Sequence, residues 1–374
     1  MNKKRIYKQL HIILAVFGIL SFGWWFIFNP ADSLNKKMPG MDKRPAGALK
    51  NASVNFGAYY QKFDGKASSL KGSWPNFRGG NRDNICNDNI ALADSWGKSG
   101  PKVLWSVDLG EGHSGPIISD GKVYVFDYDE TRRADVLRCF SFEDGKEIWR
   151  VGYDIYLKRN HGISRTVPAI KDKYVVTIGP NCQIMCVNAD SGKVNWGIDL
   201  ARDFETEVPL WYTGQCPMID DSLVIVGVGG KSLVTAFSLK TGKVVWETPN
   251  PNKWKMSHSS IIKFNLGEEK IYLYAALGGV VGVSSEGKVL FETTLFNHNV
   301  VAPTPVYLGN GRVFLTAGYG AGSSTIKIEK TASGYTVKGL QKIQPTEGMA
   351  SEQQTPILYN GLIYSIQPKD AGSL

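Results

Sequence analysis

The sequence of 374 residues is poor in the residue types and motifs that most often carry catalysis. It has five cysteines and five histidines, with no adjacent cysteine pair and no C-x-x-C motif, so it does not support a redox or metal site built on cysteine. A glycine-rich phosphate loop, a G-x-S-x-G nucleophile motif and an H-E-x-x-H zinc motif are also missing. We therefore assign no catalytic residue and predict no metal site.

Concentrated charge is also missing from the main part of the chain. The formal net charge is +9 and the pI is about 9.1, but eight of the basic residues lie on either side of a single apolar run near the N-terminus. The other basic residues are scattered singly, as expected for solvated sheet edges. Because nucleic-acid sites need clustered charge with interleaved aromatics, we predict no nucleic-acid partner.

One long apolar run is present, Ile12 to Phe28, with 17 uncharged residues that follow four basic ones. It ends in aromatic residues suited to a membrane interface, and no small-residue cleavage motif follows closely. We expect residues 1–29 to be an uncleaved transmembrane helix, single-pass in the inner (cytoplasmic) membrane, with the rest of the chain on the periplasmic side. A cleaved signal peptide is the alternative.

The strongest positive feature is a set of similar segments that each end in an aromatic residue. CFSFEDGKEIW ends at Trp149, CVNADSGKVNW at Trp196 and AFSLKTGKVVW at Trp246, while VGVSSEGKVLF ends at Phe291 and PKVLW at Trp105. Successive ends are 44, 47, 50 and 45 residues apart. A period of this length predicts an all-β fold, a β-propeller with one four-stranded blade per repeat.

Each repeat also has an opening hairpin, in which two short apolar runs flank a turn such as Asp-Gly or Asn-Gly. Four aromatic closings and a degenerate fifth, near Gly334 to Leu340, accompany these openings. We therefore expect residues 73–374 to form a propeller with about five to six visible blades, truncated at the C-terminus, and Lys102 to Leu109 to supply the last blade's fourth strand. The openings start at Ser114, Thr166, Gln215, Ser259, Pro303 and Gln354.

Two of the cysteines occupy one repeat position. Cys139 and Cys186 stand where the other repeats have Ala236 and Val281, so we interpret them first as small packing residues. Cys182 and Cys186 would lie about 13 Å apart in one straight strand, which is too far for a disulfide bond.

The segment between the apolar run and the repeats, residues 30–72, is rich in Lys, Gly, Ala, Ser and Pro. This composition favours a flexible tether, within which Asn55 to Phe63 could form a short helix. The ordered part begins with SWPNFRGGNRDN, from Ser73 to Asn84.

The repeats resemble the pyrroloquinoline-quinone-like (PQQ-like, quinoprotein-type) propeller family, whose motif runs A-x-D-x-x-T-G-K-x-x-W. The best copy begins at Ala236 and continues through Thr241-Gly242-Lys243 to Trp246, with Ser238 in place of the motif's Asp. The segment Trp74 to Asp83 is similar to the W-P-x-F-R-G stretch that precedes many exported members. The resemblance implies four-stranded blades, eight of them in the intact family.

The family contains both enzymes and binding proteins. Quinone-dependent alcohol and glucose dehydrogenases have a vicinal Cys-Cys and a calcium site, whereas the outer-membrane assembly propeller binds other proteins without catalysis. Since the Cys-Cys is missing here, we expect a binding or protein-assembly module with a protein partner and no cofactor. The alternative is a dehydrogenase of alcohols or sugars that uses PQQ and calcium, with His161, Arg165 and Glu352 as candidates.

Polar residues recur shortly before the first strand of each repeat, where a propeller chain approaches the channel mouth. Ligand sites often lie in such concave places, although polar residues there can simply satisfy backbone groups. Arg165 could pair with an anionic ligand or with Glu205 or Glu207. The candidate ligand-binding residues are His113, His161, Arg165, Trp211, Gln215, His258, His298 and Glu352.

Overall fold

The computed structural model describes residues 3–28, 53–87, 91–98, 100–158 and 162–367. The chain divides into two units, Met1–Ala48 and Leu49–Leu374. In the first unit, helix α1 spans Lys3–Ile27. No helix in the described part of the chain is both long and apolar enough to cross a membrane, so the predicted transmembrane helix is not confirmed.

The second unit is built almost entirely of antiparallel strands. Blade 1 contains β2–β5, with β1 added at its edge, and blades 2 to 5 contain β6–β9, β10–β13, β14–β17 and β18–β21, each in chain order; β22 and β23 form a two-stranded sixth sheet. This arrangement confirms the all-β class and the four-stranded blades. The elements are β1 Tyr59–Lys62, β2 Ile117–Ser119, β3 Lys122–Asp129, β4 Ala134–Ser141, β5 Glu147–Asp154, β6 Ala169–Lys171, β7 Tyr174–Ile178, β8 Gln183–Asn188, β9 Val194–Asp199, α2 Leu200–Asp203, β10 Met218–Asp220, β11 Leu223–Gly227, β12 Ser232–Ser238, β13 Val244–Pro249, β14 Ile262–Leu266, β15 Glu269–Ala276, β16 Gly279–Ser284, β17 Val289–Thr293, β18 Val306–Gly309, β19 Arg312–Ala317, β20 Gly322–Thr331, β21 Gly334–Ile343, β22 Ile357–Tyr359 and β23 Leu362–Tyr364.

The repeated tryptophans lie between neighbouring blades, as expected. A Cβ at the turn glycine of blade 2, Gly192, would come within 2.6 Å of the Trp149 ring of blade 1, so only glycine lets the two blades approach this closely. The Trp149 Nε1 donates to the Ala189 carbonyl, 3.3 Å away in the same turn. The ring therefore both fills the space between blades and bonds to the next blade.

The fourth repeat departs from this pattern because its turn is one residue shorter. Trp246 Nε1 of blade 3 is buried and has no hydrogen-bond partner among the described residues. The shorter turn also shifts the strand register, so Phe291 pairs with Gly282. The prediction that Val281 shares the repeat position of Cys139 and Cys186 is therefore wrong by one residue. All five cysteines are free.

Trp105 occupies the same kind of position on blade 1. Its ring lies 2.6 Å from a Cβ built at Gly145, and its Nε1 donates to the Phe142 carbonyl at 3.1 Å. The surrounding segment, Lys102 to Leu109, forms no strand, contrary to the prediction. In a four-stranded blade, the fourth strand pairs with the third. The described residues of the sixth sheet form only two strands, β22 and β23, so they offer this segment no third strand to pair with.

The described end of the predicted tether packs on blade 1. Strand β1 pairs antiparallel with the outer strand β5, which covers backbone groups that an edge strand would otherwise expose. Phe56 contacts the buried Tyr153 edge-on, with ring centroids 5.1 Å apart. The predicted helix from Asn55 to Phe63 is therefore wrong, because this edge pairing favours an extended chain. Residues 30–52 of the tether lie outside the described residues.

Hydrogen bonds also join the blades where their inner strands begin. The backbone N–H of Cys216 donates to Ser260 Oγ at 3.0 Å, that of Ser260 to Thr304 Oγ1 at 3.3 Å, and that of Thr304 to Thr355 Oγ1 at 2.9 Å. In blade 2, the N–H of Val167 donates to Cys216 Sγ at 3.2 Å. These bonds run from blade to blade around the central channel and fix the residues that precede each inner strand.

Candidate functional site

Two regions of the central channel are built differently. We call the mouth the region shortly before the inner strands, where Arg165, Trp211, His258, Tyr319 and Glu352 lie. We call the plug the segment Trp74 to Asn84, which bonds to inner strands and to residues directly before them. Bulky and charged residues converge in both regions, but their hydrogen-bonding states differ.

Arg165 is the central charged residue of the mouth. It is half-buried and lies shortly before the inner strand β6. Its Nε and Nη2 atoms are buried and have no hydrogen-bond acceptor among the described residues. Burial lowers the pKa of the Arg165 guanidinium. A buried donor without an acceptor costs about 1–3 kcal/mol and more when it is charged, so an acceptor placed here would offset that cost.

The hypothesis that Arg165 pairs with a neighbouring glutamate is wrong. Glu205 forms an ion pair with Lys231 at 3.4 Å, and Glu207 forms one with Lys255 at 2.6 Å. Both carboxylates therefore have other partners, and the interpretation that Arg165 pairs with an anionic ligand stays a prediction.

His258 lies beside Arg165 at the corresponding position of blade 4. Its Nδ1 is buried and has no partner among the described residues, and backbone groups of Leu210 and Tyr212 lie next to the ring. Burial, followed by the positive charge of Arg165, lowers the pKa of His258 to about 4. The imidazole is therefore neutral at pH 7, when it can still donate one hydrogen bond to a ligand.

Two aromatic residues stack across the mouth. Trp211, from the connection into blade 3, stacks on Tyr319, from the β19–β20 turn of blade 5, with centroids 5.7 Å apart and planes 19° apart. Both have positive φ, 64° and 57°, which is unusual for bulky residues and a kind of strain that clusters at functional sites. Tyr319 is 62% exposed, so the stack presents an aromatic surface to solvent.

A buried polar group lies behind the mouth. Ser164, next to Arg165, donates through Oγ to Asp135 Oδ1 at 2.5 Å. Asp135 is fully buried between blades 1 and 2, and burial raises its pKa to about 7. A Cβ at Gly179 would lie 2.9 Å from Asp135 Oδ2 and 2.1 Å from the Tyr153 hydroxyl. The sequence signal was an aspartate within the apolar strand β4, which our sequence analysis did not use.

The other predicted site residues do not all reach the mouth. Gln215 is buried and bonds both amide atoms to the backbone of Gly227, at 3.0 and 2.7 Å, so it satisfies backbone groups. His113 is exposed and lies 3.2 Å from Glu111. His298 packs edge-on against Phe296 with centroids 4.6 Å apart.

Two further candidates complete the predicted set. Glu352 lies against the backbone at Gly318, where a Cβ would approach it within 2.8 Å; this places its side chain next to the turn that carries Tyr319. His161 lies outside the described residues. The structure thus brings together Arg165, Trp211, His258 and Glu352 of the predicted set, and it adds Tyr319 and Asp135.

The plug is held by hydrogen bonds to several blades. Trp74 pairs with Ile118 of β2 in blade 1 through both backbone groups, at 2.8 and 3.0 Å, and the Pro75 carbonyl accepts from the Ile170 N–H of blade 2 at 2.9 Å. Gly79, with φ of 80°, lies under the Trp74 ring. The plug therefore turns tightly inside the channel.

The plug arginines extend these bonds to the other side of the channel. Arg78 is buried, and its Nη2 donates to the Pro356 carbonyl of the sixth sheet at 2.9 Å and to the Asp83 carbonyl at 3.2 Å. Arg82 donates to the Pro217 carbonyl of blade 3 at 3.5 Å. The W-P-x-F-R-G segment thus bonds to blades on several sides of the channel.

The described residues of the mouth do not make up a calcium site. Calcium binds six to eight oxygen ligands, mostly from carboxylates and carbonyls, whereas Arg165 and His258 offer nitrogen donors. Among the residues that the structure describes, no three His, Cys, Asp or Glu side chains are grouped to hold a metal ion.

The fold and its repeats define a β-propeller of the PQQ-like class, with a plug segment bonded to several blades and with aromatic and basic residues before the inner strands. A family model described as "Outer membrane protein assembly factor BamB" matches residues 132–372. Since this match covers well over half of the chain, the protein belongs to that family, and the resemblance inferred from the sequence is confirmed.

Two solved structures that the chain matches are the following. BamB from Moraxella catarrhalis is 15% identical, with a TM-score of 0.43 over 66% of this chain and 64% of that one. A quinohemoprotein alcohol dehydrogenase from Comamonas testosteroni is 13% identical, with a TM-score of 0.45 over 79% of this chain and 52% of that one. The chain thus spans less than two-thirds of either protein. No curated protein matches it significantly.

Proposed function

We propose that the protein is a PQQ-like β-propeller that acts outside the cytoplasm, tethered to a membrane, as a binding or assembly module. Its mouth takes a segment of a partner protein that carries a carboxylate. The observation that carries this proposal is the buried Arg165 guanidinium, whose Nε and Nη2 have no acceptor among the described residues.

A carboxylate is the group that best complements these donors. Guanidinium binds carboxylate through two parallel hydrogen bonds, which are stronger than bonds between neutral groups. His258, neutral at pH 7 and next to Arg165, can add a further donor. An acidic side chain or a C-terminal carboxylate of a partner would thus satisfy two buried groups at once.

The aromatic stack supplies contact area beside this charge. Tryptophan and tyrosine are enriched in the energetically important centres of protein interfaces, because they combine a large apolar surface with a polar group. Trp211 and Tyr319 present such a surface next to Arg165. This combination favours a protein segment over a small neutral molecule as the occupant.

The location outside the cytoplasm and the membrane tether depend on other observations. They are supported by the uncharged run from Ile12 to Phe28 with basic residues before it, and by membership of a family named for outer-membrane protein assembly. Fractionation of cells that express the full chain, with protease treatment of spheroplasts, tests both. Protease-protected protein in the soluble cytoplasmic fraction would contradict this part of the proposal.

Selection of peptides from a random displayed library on the immobilised full chain tests the mouth directly. We expect enriched peptides that contain acidic and aromatic residues, and at least a tenfold loss of their affinity in Trp211→Ala and in Arg165→Gln. Trp96→Ala is the matched control, since Trp96 is 57% exposed at another place. Unchanged affinity in both mouth variants would contradict the proposal.

A dye-reduction assay separates this proposal from the dehydrogenase alternative. Purified protein is mixed with PQQ, calcium and a panel of alcohols and sugars, with an artificial electron acceptor. We expect no reduction above that of the same mixture without protein. Clear, protein-dependent reduction would favour the dehydrogenase alternative.

A further inference from the structure

A second candidate site lies at the plug and shares no lining residue with the mouth. The plug and the inner strands of blades 3 to 6 border a partly open cavity of about 500 Å³. One side of its wall is charged and polar, and the other is apolar. The residues that the argument uses are Arg78, Arg82, Asp83, Lys263, Val306 and Tyr307.

The two arginines of this wall bond only to neutral acceptors. Arg78 donates to two backbone carbonyls, and Arg82 donates to the Pro217 carbonyl and to Asn76 Oδ1 at 3.0 Å. In the part of the chain that the structure describes, neither forms an ion pair. Burial lowers the pKa of each guanidinium to about 10. Their charge is thus hydrogen-bonded but not neutralised.

The nearby carboxylates offset this charge only in part. Asp220 is bonded to Lys263 of the wall, to Lys270 at 3.0 Å and to the Tyr272 hydroxyl at 2.6 Å. That leaves Asp83, the single carboxylate of the cavity wall, against Arg78 and Arg82. Buried charge is costly unless it is paired, so the wall keeps an excess of positive charge that a ligand could offset.

The apolar side of the wall indicates what kind of anion would bind. Val306 and Tyr307 of β18 line it together with Ile219 of β10 and Leu358 of β22. Small-molecule sites commonly combine such apolar surface with a few polar groups that orient the ligand. An inorganic ion would leave this side unused, whereas an organic body would cover it.

We propose that this cavity binds a small organic anion, with its carboxylate or phosphate group between Arg78 and Arg82 and its apolar body against β18. The site is independent of the partner-binding mouth. The competing interpretation is that both arginines only hold the plug in the channel, in which case added anions do not bind.

Calorimetric titration of the full chain tests the proposal with four probes. Isophthalate and phenyl phosphate carry an anionic group on an apolar ring, inorganic phosphate carries the charge alone, and isophthalamide carries the ring alone. We expect isophthalate or phenyl phosphate to bind at least tenfold more tightly than the other two, and the better of them identifies the anionic group. Absence of binding, or equal binding of isophthalamide, would overturn the proposal.

Variants then assign the binding to the cavity. Arg82→Gln should weaken binding of the better probe at least tenfold, while Arg82→Lys, which keeps the charge, should weaken it less and also serves if Arg82→Gln does not fold. Arg312→Gln, at an exposed position, and Trp211→Ala at the mouth should bind as wild type does. Wild-type affinity in both Arg82 variants would overturn the proposal for this cavity. The proposal for the mouth would be unaffected.

Discussion

The plug and the mouth hold the same kind of side chain in opposite states. Arg78 of the plug donates to carbonyl groups of the plug itself and of the sixth sheet, whereas Arg165 of the mouth keeps two buried donors without an acceptor among the described residues. A satisfied charged hydrogen bond stabilises the fold, and an unsatisfied one destabilises it. The comparison separates a residue that stabilises the propeller from one that is available for binding.

The backbone does not divide the two regions in the same way. At the plug, positive φ is found at Gly79, where glycine adopts it without strain, and also at Arg78, Arg82 and Asn84. At the mouth, positive φ is found at Trp211 and Tyr319, whose bulky side chains make it costly. Both regions hold non-glycine residues in this conformation, so the hydrogen bonding of the arginines is what distinguishes them.

The largest effect on stability is expected when an arginine that holds the plug is replaced. Arg78→Gln removes two charge-assisted hydrogen bonds, each of about 1.5–3 kcal/mol, so we expect the free energy of unfolding to fall by about 3 kcal/mol. Urea denaturation followed by tryptophan fluorescence measures it. Arg312→Gln at an exposed site is the control. A loss no larger than that of the control would remove the structural role of Arg78.

A smaller loss of stability is expected when one methyl group is added to the plug. Gly79→Ala forces alanine into positive φ and places a Cβ 2.9 Å from the Trp74 ring, so we expect a loss of about 2 kcal/mol. The adjacent Gly80→Ala is the matched control, since a Cβ there meets nothing within 4 Å. Equal stability of the two variants would show that the plug is loosely packed.

For the mouth, we expect an effect on how the free energy of unfolding depends on pH. His258 has a folded pKa of about 4 against 6.5 in the unfolded chain, so it makes stability rise with pH across that window. Asp135 has a folded pKa of about 7 against 3.8, so it makes stability fall as pH rises. Each contributes about 1.4 kcal/mol per pH unit at most, and in the wild type the two oppose each other.

Single variants separate these two slopes. In Asp135→Asn, the free energy of unfolding should rise between pH 4.5 and 6.5, and in His258→Gln it should fall over the same range. Urea denaturation at pH 4.5, 5.5 and 6.5 measures both. Identical slopes in the two variants and the wild type would mean that neither group is perturbed, and that the mouth is solvated.

The sequence predicted the repeat architecture well because its signals are local. Turn glycines and alternating apolar residues set each hairpin, and the tryptophan period spaces the blades, so the repeats and the packing role of Trp149 followed directly. The short turn before Phe291 shifted the register by one residue, and a count of residues to the closing aromatic did not detect it. Edge pairing of β1 depends on a neighbouring strand, which local composition does not encode.

The candidate site was predicted only in part, because the spacing of residues along the chain does not show which of them lie close together in the fold. Arg165 and His258 were identified by their repeat position, and the structure places them side by side. Gln215 has a similar position in its repeat, but its side-chain amide is hydrogen-bonded to the Gly227 backbone. Tyr319 and Asp135 were missed because they come from a turn and from the start of the apolar strand β4.

The measurement that tests the central claim most directly is the stability of Arg165→Gln against the wild type at pH 7, by urea denaturation. If the mouth arginine is unsatisfied and available for a ligand, its removal should leave the free energy of unfolding unchanged or raise it by about 1 kcal/mol. A loss of about 2 kcal/mol or more, like that expected for Arg78→Gln, would contradict the account.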